Sequence, residues 1–171
     1  MKEGSLKSPK IPLLILAAIL ALDFGTKYLA SSFLRRIHPL TIIPNFFHLT
    51  YVENQGAAFG FLAETNARFR TPFFVFISLV AILVIIILYR REEGGAWGRL
   101  ALIFILGGAL GNLVDRLRFG WVIDFLDFHW YHYHWPAFNI ADIAICIGVG
   151  MLMINMFFGQ KGRKPRASNT F

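Results

Sequence analysis

The sequence predicts an all-α membrane protein of four transmembrane helices, with a small β-rich element and an interfacial loop gathered on one side of the bilayer. Two observations carry this. Four runs, at residues 11–29, 72–89, 97–114 and 136–158, are apolar and long enough to cross a hydrocarbon core of about 30 Å, which takes roughly 20 helical residues. The basic residues cluster beside the ends of those runs rather than along one face of the chain. A sequence that is 56% hydrophobic and 16% aromatic also leaves too little polar surface for a soluble domain of 171 residues.

The first run follows Lys2, Lys7 and Lys10, an order that imitates a secretory signal. It is expected to remain as a span, because it continues through Asp23 and Lys27 to Leu34 without a small-x-small cleavage site. In the connection 30–71, the stretch LTIIPNFFHLTYV at 40–52 is β-branched and aromatic, which predicts short strands at the interface. The second run, FFVFISLVAILVIIILY, carries no charge and reads as a lipid-facing or packing helix. The third contains Gly107 and Gly111, a small-xxx-small pair that lets a neighbouring helix come close. The connection 115–135 holds Trp121, Phe125, Phe128, Trp130, Tyr131, Tyr133 and Trp135, the aromatic belt of a headgroup-level loop. The fourth run is expected to start at Pro136. Residues 1–160 form one domain, and 161–171 a basic tail attracted to anionic lipid.

The formal net charge of +7 does not indicate nucleic acid, since no basic face is formed. Lys2/Lys7/Lys10, Arg90/Arg91/Arg99 and Lys161/Arg163/Lys164/Arg166 lie on one side of the four-span arrangement, which is expected to be the cytoplasm and to hold both termini. The bias is moderate, because the opposite connection carries five basic residues when Lys27 is counted. The single cysteine, Cys146, permits no intrachain disulfide or cysteine metal cluster and reads as an apolar filler.

Counting helical rise brings the polar residues to one depth. Asp23 lies thirteen residues past Lys10, and Asn112 thirteen past Arg99, so each stands roughly 20 Å into the core at 1.5 Å per residue. Asp115 and Arg116 follow one turn later. Asn139 and Asp142 come from the other direction, Asp142 roughly 9 Å below the surface if the helix starts at Pro136. Intramembrane ionisable groups cost about 2.5–3.5 kcal/mol each on insertion scales and mark functional sites. Gly108, Asn112 and Asp115 share a helical stripe, as do Asn112 and Arg116, which directs them at a common neighbour.

HExxH, GxSxG, Walker and GxGxxG signatures are absent from the sequence, and carboxylates remain as the candidate chemistry. Two close carboxyl groups share one proton, so one takes a proton from water while the other donates to a carbonyl. Residues alone leave three classes open: such a peptidase, a proton-coupled transporter, and a scaffold with a buried polar network. A transporter requires polar residues at several depths, and the cytoplasmic halves of these helices have almost none.

The blocks Asn54-Gln55-Gly56-Ala57-Ala58-Phe59, Gly107-Gly108-Ala109-Leu110-Gly111-Asn112-Leu113-Val114-Asp115-Arg116, Val122-Ile123-Asp124-Phe125 and Pro136-Ala137-Phe138-Asn139-Ile140-Ala141-Asp142 resemble lipoprotein signal peptidase (signal peptidase II). Asp23 and Lys27 in the first span match as well, so the resemblance covers nearly the whole chain. It implies an aspartyl endopeptidase of the bacterial inner membrane that removes signal peptides from prolipoproteins, cutting N-terminal to a diacylglyceryl cysteine near the periplasmic face. The β-rich element then lies in the periplasm. The resemblance implies Asp124 and Asp142 as catalytic residues, with Asn54, Asn112, Arg116 and Asn139 contacting substrate or globomycin-type peptide inhibitors. Asp23, Gly108 and Asp115 match supporting positions. It implies no cofactor and no metal; the other expected partner is membrane lipid, and the chain is expected to act as a monomer.

Asp23 and Lys27, at i and i+4, are expected to form a structural ion pair rather than to do chemistry. Arg116 has two open roles, pairing with Asp115 or meeting a substrate carbonyl. His129, His132 and His134 beside Asp127 have metal-ligand chemistry, but are expected to be interfacial side chains.

Overall fold

In the first connection, the expected strands form. The computed structural model describes residues 10–37, 39–56, 66–91 and 95–158, so Lys2, Lys7, the 57–59 part of the first matched block and the 161–171 tail lie outside the described residues. The elements are α1 (Lys10–Leu29), continued by a π-helical turn (Ala30–Leu34), β1 (Leu40–Ile43), β2 (Phe47–Asn54), α2 (Ala67–Arg91), α3 (Ala96–Phe119), β3 (Val122–Trp130), β4 (Tyr133–His134) and α4 (Ile140–Phe158). The strands make one antiparallel sheet in the order β1-β2-β3-β4.

All four helices are long and apolar enough to cross a membrane. They pack around α3, the most buried of them, while α2 and α4 leave Leu79, Leu83, Met153 and Ile154 about half exposed. In water that apolar surface would be a liability; in a bilayer it is the lipid contact. The chain is a multi-pass membrane protein.

Three helix bounds differ from the sequence expectation, each for a local reason. α2 begins at Ala67 rather than at Pro72, because Asn66 Oδ1 accepts the Arg68 N–H at 2.9 Å and caps the helix a turn earlier. α3 does not stop at Val114 but runs through Asp115 and Arg116 to Phe119. It ends where Gly120, at φ 85°, turns left-handed and gives its N–H to Arg116 O at 3.0 Å.

α4 starts at Ile140, not at Pro136. The segment before it runs alongside β3, with Phe138 and Leu126 exchanging backbone hydrogen bonds. Asn139 then opens the helix with a reciprocal cap: its Oδ1 accepts the Asp142 N–H at 3.0 Å and its own N–H donates to Asp142 Oδ2 at 3.2 Å. Asp142 therefore sits in the first turn of α4 rather than a turn and a half inside a span.

The connection expected as an interfacial aromatic loop is also ordered differently. Residues 122–130 are a strand, with Val122, Ile123, Asp124 and Phe125 all buried. Under it, Phe125 packs with Ala30 and Leu34, which fastens the sheet to the top of α1. The expected small-residue contact is present: a Cβ on Gly107 would meet Ile19 of α1 at 2.8 Å, and one on Gly111 would meet Asp23 Oδ2 at 2.5 Å. Gly108 faces the other way, against the Ala141 carbonyl of α4.

Candidate active site

Lys27 is the electrostatic centre of the bundle's sheet-bearing end. Its Nζ donates to Asp23 Oδ2 at 2.8 Å and Asn112 Oδ1 at 3.0 Å, and lies 2.9 Å from Asp115 Oδ2. Asp23 and Lys27 are 0% and 2% exposed, so the expected i, i+4 pair is real but larger than a pair. Asp23 Oδ1 accepts the Ala141 N–H at 2.9 Å, and Asp115 Oδ2 accepts the Ile123 N–H at 3.2 Å. One buried cation thus ties α1 to α3, while its two carboxylates hold the starts of α4 and β3. The arrangement satisfies charges that would otherwise be costly to bury.

A layer of amides grows from this knot. Asn112 Oδ1 is occupied by Lys27 and by Asn139 Nδ2 at 3.2 Å, which turns the Asn112 amide nitrogen toward Asp142 Oδ1, at 2.8 Å. Asn139 Nδ2 also donates to Asp124 Oδ1 at 2.6 Å. The remaining Asp124 oxygen accepts Asn54 Nδ2 at 2.8 Å. That last contact follows from register: Val52 pairs with Asp124 and Asn54 with Val122, so Asn54 and Asp124 are diagonal neighbours on one sheet face. Asp124 and Asp142 are therefore held by a common residue, Asn139, from a strand and a helix start respectively.

Asp124 is 1% exposed, and burial pushes its carboxyl up to about 7 from 3.8. The Asn54 hydrogen bond opposes that shift, and the charge of Asp142 adds to it. Both carboxyls face a cavity of about 520 Å³ with Asn54, Asn112 and Arg116 on its polar wall and Ile143, Cys146 and Ile147 of α4 along its apolar side. Cys146, expected as a filler, is exposed to this space.

Lys27 holds Asp115, which resolves one open point about Arg116. The guanidinium instead lies 5.2 Å from the Phe74 ring centre on α2 and reaches Asn112 O at 3.5 Å, at the edge of the cavity.

Residues 15–158 match the family described as Signal peptidase (SPase) II. The chain belongs to the signal peptidase II family. It is 51% identical over 146 residues to a lipoprotein signal peptidase of Syntrophotalea carbinolica, covering 85% of this chain and 89% of the relative. A lipoprotein signal peptidase of Geobacter sulfurreducens is 46% identical over 149 residues, covering 85% and 91%. Among solved structures, a bacterial membrane enzyme determined by the in meso method at 2.3 Å resolution superposes with a TM-score of 0.79 at 28% identity, covering 92% of this chain and 94% of that one.

Within this signal peptidase II chain, every site residue named from the sequence except Gly108 falls in the two linked layers or on the cavity wall. Gly108 contributes by the close approach of α3 to α4 at Ala141. Sequence reasoning gave Lys27 one partner where it has three, a role that required the position of Asn112 and Asp115 across α3. It also missed His48. That ring stands 3.1 Å from His129, Nε2 to Nε2, while Asp127 holds His134 Nδ1 at 2.9 Å, joining β2, β3 and β4. The antiparallel register that sets His48 opposite Asp127 is a property of the folded sheet, and no sequence signal marked it. Among the described residues no group of three or more His, Cys, Asp or Glu side chains is arranged to hold a metal ion.

Proposed function

We propose that Asp124 and Asp142 are the catalytic pair of a membrane endopeptidase that removes the signal peptide from diacylglyceryl-modified prolipoproteins, cutting N-terminal to the lipidated cysteine. Membership of the signal peptidase II family makes the chain an aspartic peptidase of lipoprotein processing. The observation that carries the residue assignment is the clamp of Asn139 on both carboxyls at the wall of one cavity.

In this mechanism one carboxylate takes a proton from water as the water oxygen attacks the scissile carbonyl carbon, and the protonated partner donates to the carbonyl oxygen. The resulting diol collapses: its C–N bond breaks as the amine nitrogen receives a proton from the carboxyl that took the first one, and a diol hydroxyl gives its proton to the partner carboxylate, which restores the shared proton. Asn54, Asn112 and Asn139 keep the carboxyls oriented, and Arg116 at the rim offers its guanidinium to a substrate carbonyl. The apolar side along Ile143 and Ile147 suits acyl chains entering from lipid. On this reading the site lies near the periplasmic leaflet of a bacterial inner membrane, with spans α1 to α4, both termini cytoplasmic and a single chain as the working unit. Between the site and the basic helix ends opposite the sheet, the described helices carry almost no ionisable side chain, which gives a proton path no relay.

The test is cleavage of a diacylated prolipoprotein by the purified chain, with and without a globomycin-type peptide. Processing should be inhibited by the peptide and abolished in Asp124→Asn and Asp142→Asn, both still inserted and folded. Normal turnover by either variant defeats the assignment.

A further inference from the structure

The wall made by α3 and β3 has two sides, and the side away from Asp124 carries a second cavity. Side chains alternate along β3, so Val122 and Asp124 face the peptidase cavity while Ile123 faces the other. On α3, Asn112 and Arg116 line the first, and Asp115, Arg118 and Phe119 the second. The second cavity has a volume of about 210 Å³.

Its lining changes character along α1. Phe24 and Tyr28 lie toward the membrane interior, followed at helical spacing by Ser31 and then Arg35. Arg118, from the last turn of α3, and Arg35 stand at the sheet-bearing end. Lys27 and Asp115, which also touch the cavity, are occupied with each other. Arg35 shares its charge with the half-buried Glu53 across 3.3 Å, whereas Arg118 makes no ion pair among the described residues and rests near the Phe119 ring. The pocket therefore presents an excess of positive charge above an aromatic floor. Trp121 also lines the cavity, and its buried indole N–H has no hydrogen-bond partner among the described residues.

We propose that this cavity is a phospholipid site, in which Arg35 and Arg118 hold the phosphate diester of an anionic lipid whose acyl chains descend past Tyr28 and Phe24. Arginine suits a phosphate because its planar fork donates to two oxygens at once. Free phosphate shares that chemistry, but the aromatic floor and the adjoining lipid-exposed face of α1 favour a headgroup attached to chains. The site is separate from the carboxyl pair, so a bound lipid need not compete with the peptidase substrate for space.

Native mass spectrometry of the full chain in a neutral detergent tests this, using phosphatidylglycerol and, as a phosphate-free control, diacylglycerol with the same chains. One phosphatidylglycerol should be retained per chain, with diacylglycerol retained at least tenfold less. The double variant Arg35→Gln/Arg118→Gln, altered at two exposed positions, should lose the phosphatidylglycerol adduct at least tenfold while keeping its helical circular dichroism and its cleavage rate in detergent. Arg36→Gln, next to Arg35 but outside the cavity lining, should retain the adduct. Equal retention by the double variant, equal retention of diacylglycerol, or displacement of the lipid by millimolar inorganic phosphate would each overturn the proposal.

Discussion

The side-chain amide of Asn139 donates to Asp124 Oδ1 across 2.6 Å while its carbonyl oxygen accepts the Asp142 N–H at 3.0 Å, so one residue caps α4 and spans the two candidate catalytic carboxyls. Its contributions are separable. Loss of an N-cap costs about 1 kcal/mol, whereas misplacing a reacting group by about 1 Å costs on the order of a hundredfold in rate. Asn139→Ala should therefore lower kcat roughly a hundredfold with only a small fall in the unfolding midpoint in detergent. Steady-state kinetics alongside thermal unfolding checks this; a stability loss with unchanged kcat would leave Asn139 as a helix cap only.

The Asp124 carboxyl, raised to about 7 by burial, sets a pH dependence of definite sign. Above that value the pair loses the proton it must share, so kcat/KM should fall on the alkaline side near pH 7, as a limb belonging to the pair. The Asn54 hydrogen bond lowers the Asp124 value, hence Asn54→Ala should move the limb to higher pH. Stability follows the same linkage. A folded-state value above the ordinary 3.8 means a contribution fully present below 3.8 and lost as pH rises through about 7. The wild-type unfolding midpoint should drop between pH 5 and 8 by more than that of Asp124→Asn. A parallel pair of curves would contradict the burial of an ionising Asp124.

The depth count along the helices found this site because membrane burial makes every charge conspicuous: Asp23, Asn112, Asp115 and Arg116 could be placed by rise alone. What it misjudged were segments without a simple period. Pro136 resembled a helix start, yet Asn139 and Asp142, three apart, form a reciprocal cap, and a cap and a polar stripe look the same at that spacing. The β3 segment resembled a headgroup loop because aromatic residues suit both roles; only pairing with β2 shows that Asp124 is buried in a sheet. The carboxyl pair itself needed the matched blocks, since an aspartate between two spans is by default solvated.

Lys27 holds Asp23, Asn112 and Asp115 within about 3 Å. Replacing it with methionine would leave two buried carboxylates without their cation, a change of about 3–5 kcal/mol for a buried pair broken on one side. Lys27→Met should give a chain that unfolds at clearly lower temperature in detergent and loses activity with it. Adding Asp23→Asn and Asp115→Asn should recover part of the midpoint, because it removes the stranded charges. If Lys27→Met alone keeps the wild-type midpoint, the knot is not what holds α1 to α3.

Gly108 faces the Ala141 carbonyl and Ile145 of α4, and a Cβ there would collide with that backbone oxygen, which cannot rotate away as a side chain would. Ala141 is also where α4 hydrogen-bonds to Asp23, and Asp142 follows it directly. Moving α4 outward to make room would stretch the Asn112–Asp142 contact, now 2.8 Å, before disturbing Asp124, which sits on β3. Gly108→Ala should therefore cost about 1–3 kcal/mol as overpacking and reduce kcat more than affinity for a globomycin-type peptide. Gly150, with nothing within 4 Å of an added Cβ, provides the control: Gly150→Ala should leave both quantities unchanged. If the two alanine variants behave alike, the separation of α3 and α4 at Gly108 does not set the geometry of Asp142.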